Sequence, residues 1–532
     1  MQSWFCEPMR CGGGDCLARI DGDFALAIWD ARRQEAFCAR DRVGNKPFNY
    51  HWSGQTLVFA SDLHAILPLP WVSEDLNEGM LAEYLATDWH SLDETFWQGI
   101  LRLIAAHCLV ASPTGTKLSR YWAPDLQATL PYRSAAEYIE HYRALFTDVV
   151  RRMSRSNRPL ACEVSGGLDS SAIFAVAETL RQKGRLPAPG LEGYTLDFGG
   201  DPYADELDYC RAVGAHLGRK IHEVVPAHMP LAWYQDRAQT YREFPGYPNS
   251  VMALSILTEG RAHGARVLIS GTGGDQWVGG CMHYYAEALE SWSGRELLDI
   301  LRTDSREVGI QTTLWWLIRF GLMPLLPSRV RQRLKTLATS INPQRLADWL
   351  KPSLKTTLVN RHQKGHPAEF SPLGRRGQLR QLLNLYDPRT TLAREMIERM
   401  CAYKGIEWRQ PFWNAGLIQD AFATPERWRL RGTESKWLHR QAMAGLLPER
   451  VLRRPGKAEF SVVFARHWSD LSRLMREDIL TRRQGWVNRV PLEAMLQQGM
   501  HIERSNWPEG ILWTLFCVDA VLRKSQKNAP PN

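Results

Sequence analysis

The chain has 532 residues, 44% hydrophobic and 23% charged, with a formal net charge of +9. This balance excludes a disordered or membrane-embedded chain, and the length predicts two to four domains. So mild a positive bias fits an acidic ligand such as a nucleotide and gives little ground for nucleic acid as a partner. Ten cysteines include no CxxC pair, and Cys6, Cys11 and Cys16 have no nearby histidine to complete a zinc set. The start, "MQSWFCEPMRCGGGD", lacks an apolar signal core. A reduced, cytoplasmic protein is the expectation. The most apolar run, "LWWLIRFGLMPLLP" at 314–327, is interrupted by Arg319 and broken by two prolines. It is too short to span a bilayer and reads as a buried or groove-lining helix.

Taken in chain order, "DGDFALAIWDARRQEAFCARDRVG" predicts a hairpin turning at "DARRQ". Phe24, Leu26 and Ile28 alternate with Ala25, Ala27 and Trp29. Both faces of the first strand are therefore apolar, as in a sheet covered on both sides. "TLVFASD" is another strand, and "HCLVASPTGTKLSRYW" a second hairpin turning at "SPTG". After the linker "PDLQATLP", Ser134 and Glu137 form a capping box, and Tyr138, Tyr142, Leu145 and Val149 mark one apolar stripe of the helix that follows. Then come the strand "PLACEV", a helix from "SSAIFAVAETL", the strand "LEGYTLDF", a helix ending at Gly218, and the strands "RKIHEVVP" and "ARVLIS". Strand and helix in alternation predict an α/β fold with a doubly wound parallel sheet. From about residue 287 the pattern is mostly helical.

"LACEVSGGLDSSAIFAVAETL" places Ser165, Gly166, Gly167, Asp169, Ser170 and Ser171 where a strand gives way to a helix. Open α/β sheets bind ligands at that point. The glycines let backbone N–H groups turn inward, the helix N-terminus adds partial positive charge, and the hydroxyls add donors. The result is a cradle for pyrophosphate. Asp169 would repel phosphate unless a cation lies between them, which implies Mg²⁺. No lysine stands where GxxxxGK[ST] would need one, so this is not a Walker loop.

The stretch resembles the signature loop of the ATP-pyrophosphatase superfamily, which cleaves ATP to AMP and pyrophosphate while adenylating a substrate oxygen. Three further stretches narrow the resemblance to asparagine synthetase relatives. "LISGTGGDQWVGG", with Ser270, Gly271, Gly273 and Asp275, is similar to their second ATP and Mg²⁺ loop. "ERMCAYKGIEWRQPFWN", with Glu398 and Glu407, is similar to their GVE-R-PF segment, and "RRPGKAEFS" to their C-terminal lysine motif, with Lys457. The resemblance implies ATP and Mg²⁺ as cofactors, with Asp169 and Asp275 sharing the metal and Leu196 on the adenine-contacting strand. It implies that Lys457 neutralises charge developing on phosphate and oxyanion, and it offers Glu398 and Glu407 as catalytic candidates. Asp205 and Glu206 receive no firm role.

With "DGDFALAIWD" upstream, the resemblance covers nearly the whole chain. It implies a degenerate, truncated Ntn-hydrolase-like glutaminase domain at 1–125 and an ATP-binding synthetase domain at 126–532, with a helical insertion at about 281–387. Glutamine-dependent members begin with a cysteine after Met1, whereas position 2 here is Gln. Either the domain is truncated or the true start lies upstream of this Met1; the expectation is no glutaminase chemistry in this sequence, with the amine arriving on the substrate itself and an exposed strand edge left in the N-terminal domain. Two branches work that way, the β-lactam synthetases and the lasso-peptide macrocyclases. The residue between the first glycines of the second loop is Glu in asparagine synthetase and a catalytic Tyr in β-lactam synthetase; here it is Thr272. The lasso macrocyclases are the better likeness. They imply a precursor peptide as substrate, with a leader peptidase and a leader-binding protein as partners. A helix at 314–320 followed by Arg329, Arg331, Arg333 and Lys335 offers apolar and basic surface to a peptide, or a lid packed on its own domain. A small-molecule amide synthetase, including one fed by free ammonia, and a non-catalytic scaffold are the alternatives.

Overall fold

The structure is a computed structural model that describes residues 13–327, 349–363, 373–479, 485–498 and 508–523. Cys6, Cys11 and the basic run Arg329, Arg331, Arg333 and Lys335 lie outside the described residues. The N-terminal part holds two antiparallel sheets. One has the order β1 (Ala25–Asp30), β2 (Glu35–Arg40), β6 (His107–Ser112), β7 (Gly115–Arg120); the other pairs β4 (Leu57–Ala60), β3 (Asn49–Trp52) and β5 (Ile100–Arg102). Both expected hairpins form, with Asp30 opposite Glu35 and Ser112 opposite Gly115. Asp30 closes the first turn by accepting from the Arg32 N–H at 2.9 Å.

The reading of β1 as covered on both faces is corrected. It is an edge strand whose Ala25, Ala27 and Trp29 face solvent, Trp29 at 59% exposure. Alanine at two of the three outward positions leaves little apolar area to cover, so the alternation hid a one-sided strand.

The second part is the α/β sheet, in the order β10 (Ile221–Val224), β9 (Leu191–Leu196), β8 (Leu160–Glu163), β11 (Val267–Ile269), β12 (Glu407–Arg409), parallel throughout. The central strands are short and apolar because both of their faces are covered. Helix α1 (Ala135–Met153) starts at the Ser134–Glu137 capping box and buries Tyr138, Tyr142, Phe146, Val149 and Val150. Leu145 is half-buried; Phe146 takes its place, one residue further round the turn. Helices α2 (Leu168–Gln182) and α3 (Leu207–Leu217) follow β8 and β9, and α3 ends at Gly218 in the left-handed conformation. The strand β12 escaped sequence reading, because three residues reading Glu-Trp-Arg carry no strand pattern. The C-terminal ends of β8, β9 and β11 open into one cavity.

The segment 284–325 is helical, as expected, but the helix around 314–320 is not buried. Ile310–Trp316 continues into a wider π turn, Leu317–Leu322. Its buried seam is made by small residues, Thr313 and Gly321, with Gly321 packed on Tyr285 and Leu289. Leu314, Trp315 and Ile318 point outward, each about half exposed. Among the described residues no helix is long and apolar enough to cross a membrane. The eight described cysteines are free thiols.

The two parts meet through helix α4 (Pro388–Tyr403). Glu395 accepts from Arg40 at 2.9 Å and from Arg102 at 2.8 Å, while Arg394 donates to Asn45 at 2.8 Å. All five residues are at least nine-tenths buried. Burial works against the Glu395 carboxylate, yet Arg102 and Arg40 together hold its pKa below the ordinary value.

Candidate nucleotide site

The first loop leaves β8 and enters α2 over Ser165 to Ser171. Gly166 is left-handed at φ 66°, and a Cβ there would stand 2.5 Å from the Tyr209 side chain and 2.9 Å from the Cys210 nitrogen. No other residue type fits without moving α3. The Ser165 N–H donates to Ser170 Oγ at 3.0 Å, the Gly167 N–H donates to Ser165 Oγ at 3.3 Å, and the two hydroxyls lie 2.9 Å apart. Gly167 is the residue before α2, so the first N–H groups of that helix face the same hollow.

The second loop leaves β11 through Ser270, Gly271, Thr272 and Gly273. A Cβ on Gly271 would meet the Ser170 nitrogen at 2.7 Å, and one on Gly274 would fall on the Asp169 carboxylate. The two loops therefore touch only because glycine stands at both points. Together they wall a cavity of about 620 Å³. Ser165, Gly167, Asp169, Ser170, Leu196, Ser270, Gly271, Gly273, Asp275 and Lys457 line it, whereas Gly166 and Ser171 sit just behind the wall.

The charged groups converge around Lys436, which sequence reading missed. Its Nζ contacts the Asp169 carboxylate and lies 2.8 Å from Asp275 Oδ1, while Lys457 Nζ pairs with the other Asp275 oxygen. Burial pushes the Asp169 carboxyl up, with Lys436 offsetting part of the rise. Asp275 is more open; burial opposes its charge, but Lys436 and Lys457 hold its pKa below the ordinary carboxylate value. Lys436 holds a left-handed φ of 61° immediately before the helix α5 (Trp437–Ala442), which aims its side chain inward. One lysine in "TESKWL" gives no sequence signal of that kind; only the fold brings it to the two aspartates.

The residues fit a triphosphate with a divalent cation. Asp169 Oδ1 is buried without a partner, and backbone N–H groups and two ammonium groups face the same hollow. Asp169 and Asp275 would hold magnesium. No group of three or more ligand-type side chains occurs among the described residues, so phosphate and water would complete its shell.

Glu398 and Glu407 do not reach this cavity. Glu398, on α4, pairs with Lys46 of the N-terminal part. Glu407 begins β12 beside Val267, at the end of the sheet away from the loops, and forms a paired contact with Arg409 at 2.9 Å. The structure brings neither of them to the two glycine loops.

A family model described as asparagine synthase matches residues 141–523, and one described as glutamine amidotransferase domain matches 7–122. The chain belongs to the asparagine synthase family. Its architecture is accordingly a β-rich glutamine amidotransferase domain followed by an α/β ATP-pyrophosphatase domain. The chain is 26% identical over 454 residues to asparagine synthetase (glutamine-hydrolyzing) 3 of Bacillus subtilis, covering 83% of this chain and 67% of that one. It is 28% identical to putative asparagine synthetase 2 of Methanocaldococcus jannaschii over 51% of this chain and 52% of that one. It is 27% identical to the amidase chyE of Penicillium rubens over 53% and 44%. The chain thus spans between about two-fifths and two-thirds of the length of these relatives. Within the asparagine synthase family frame, Thr272 stands at the mouth of the second loop, its Oγ1 2.8 Å from Ser270 Oγ.

Proposed function

We propose that this asparagine synthase family member is an ATP-dependent amide-bond-forming ligase, and that its substrate is a peptide closed on itself. The side-chain carboxylate of an Asp or Glu in a precursor peptide is adenylated, with release of pyrophosphate. The peptide's own N-terminal amine then displaces AMP to give a macrolactam. The observation that carries the ligase reading is the convergence of Asp169, Asp275, Lys436 and Lys457 on a cavity walled by two glycine loops.

Each group has a task. The Ser165–Ser170 loop and the α2 N-terminus orient the triphosphate through N–H donors. Lys457, at 63% exposure on its loop, is free to swing toward charge developing on phosphate and on the tetrahedral oxygen. Lys436, buried between the aspartates, keeps the pair compatible until a cation takes its place. Bound magnesium would supply charge neutralisation on the pyrophosphate leaving group. An amine carried on the same peptide has a high effective concentration, so positioning and water exclusion become the main demands on the protein.

Support for the peptide branch comes from Thr272, which offers neither carboxylate nor phenol, and from "SGTGGDQWVGG" and "GKAEFS". Under this reading the partners are the precursor, a leader peptidase and a leader-binding protein, all in the cytoplasm. The second reading is asparagine or small-molecule amide synthesis, favoured by the names of two of the relatives above. The test is to incubate the chain with ATP, Mg²⁺ and a short peptide that carries a free N-terminal amine and an Asp or Glu side chain. A product lighter by one water, formed with AMP, is expected. AMP formed with aspartate and ammonia alone would overturn the peptide reading.

A further inference from the structure

One acid in the cavity wall has no task in the scheme above. Glu163 is the last residue of β8, opposite Tyr194 on β9 and beside Ser270 at the end of β11. It lines the cavity, whose wall also carries the apolar Leu196, Met252, Ala253 and Ile256. Asp169 feels Lys436, Asp275 and Lys457; Glu163 feels none of them, only burial and a hydrogen bond with Ser270. No ion pair holds it among the described residues.

Ser270 brings a hydroxyl beside it. The Thr272 N–H donates to Ser270 Oγ at 3.2 Å and Thr272 Oγ1 lies 2.8 Å from the same oxygen; burial pushes the Glu163 carboxyl up, and Ser270 offsets part of that rise. One hydroxyl does not satisfy a carboxylate, which accepts several hydrogen bonds. Phosphate would be repelled by it. The ligand part that belongs here is a neutral donor.

Resting on the ATP reading, we propose that Glu163 selects the nucleoside: its carboxylate accepts a hydrogen bond from the adenosine part of ATP, foremost from the 6-amino group. Adenine presents a donor at that edge, and guanine or hypoxanthine presents an acceptor oxygen. An acceptor facing an acceptor leaves both unpaired, which is a strong ground for refusal. The ribose hydroxyls are the other donors an adenosine offers, and the experiment separates them.

The test is calorimetric binding of ATP, inosine triphosphate, and 2′-deoxy- and 3′-deoxy-ATP to the full chain with Mg²⁺. Wild type is expected to bind inosine triphosphate roughly ten- to a hundred-fold more weakly than ATP. Glu163→Leu should bind the two alike. Glu163→Gln, nearly the same shape, should narrow the gap because an amide serves either edge. Weak binding of a deoxy analogue instead, levelled by Glu163→Leu, would assign the donor to the ribose and uphold adenosine recognition. Wild-type ratios across all four ligands in both variants, each melting as wild type does, would overturn the proposal. A wild-type chain that binds no ATP would remove the ATP reading itself, a separate failure.

Discussion

Two clusters of acids and bases lie in this molecule, and they are built to opposite ends. At the junction of the two parts, Glu395 is clamped by Arg40 and Arg102, Arg394 is tied to Asn45, and solvent is excluded. In the cavity, Asp169 keeps a buried oxygen without a partner, Asp275 is half exposed, and Lys457 reaches in from an open loop. In the first cluster both oxygens of Glu395 are matched by guanidinium groups, while Arg102 Nη2 and Arg394 Nε make no hydrogen bond. The second has capacity left over, which is what a site for a charged guest requires. Glu398 and Glu407 fall on the first side of that line, each already matched to its own base.

The sharpest way to break the comparison is at the junction. Glu395→Ala strands two buried guanidinium groups and is expected to cost about 3–5 kcal/mol in urea unfolding, while the folded fraction keeps its nucleotide affinity. A loss below about 1 kcal/mol, the scale of an exposed pair, would show that the junction is not the closed clamp described. In the cavity the effects reverse. Asp169→Asn is expected to reduce AMP formation by on the order of 10³-fold with little change in melting. Lys457→Ala is expected to spare ATP binding and slow amide closure by roughly 10²-fold, the scale for losing one oxyanion donor. Equal loss in binding and in closure would assign Lys457 to holding ATP.

A smaller effect concerns pH. His439 is buried against Tyr142, accepting or donating at 2.8 Å, and burial with nearby Lys436 lowers its pKa to about 3. In the unfolded chain it titrates near its ordinary value of about 6.5. Below that pH the unfolded state takes up a proton that the folded state refuses. Stability should therefore fall as pH drops from about 6.5 toward about 3, by up to about 1.4 kcal/mol per unit from this group. Unfolding curves of wild type and His439→Gln should converge above pH 7 and separate below 6; parallel curves would contradict the assignment. Least of all, Glu398→Gln should leave pyrophosphate release unchanged, and a loss comparable to that of Asp169→Asn would support its catalytic candidacy.

Most of the fold was legible, because the capping box at Ser134, the terminator Gly218 and the period-two strands are local signals. Both glycine loops were legible for the same reason: a strand, two glycines and an acid occur within a dozen residues. What escaped depended on distance along the chain. Lys436 meets Asp169 across 267 residues, and nothing beside it announces the meeting. Glu407 was a candidate because a motif names a residue without saying which end of its strand faces the ligand. Trp29 and Trp315 misled in another way, since apolar residues at regular spacing were read as covered faces that the packing leaves open.

The central claim is that the two aspartates give up Lys436 in exchange for a metal-bound triphosphate. A crystal structure of the chain with Mg²⁺ and a non-hydrolysable ATP analogue tests it directly. The account predicts phosphates on the Ser165–Ser170 loop, the metal between Asp169 and Asp275, and Lys436 Nζ withdrawn from at least one of them. A nucleotide seated elsewhere, or Lys436 still bridging both carboxylates beneath it, would contradict that exchange.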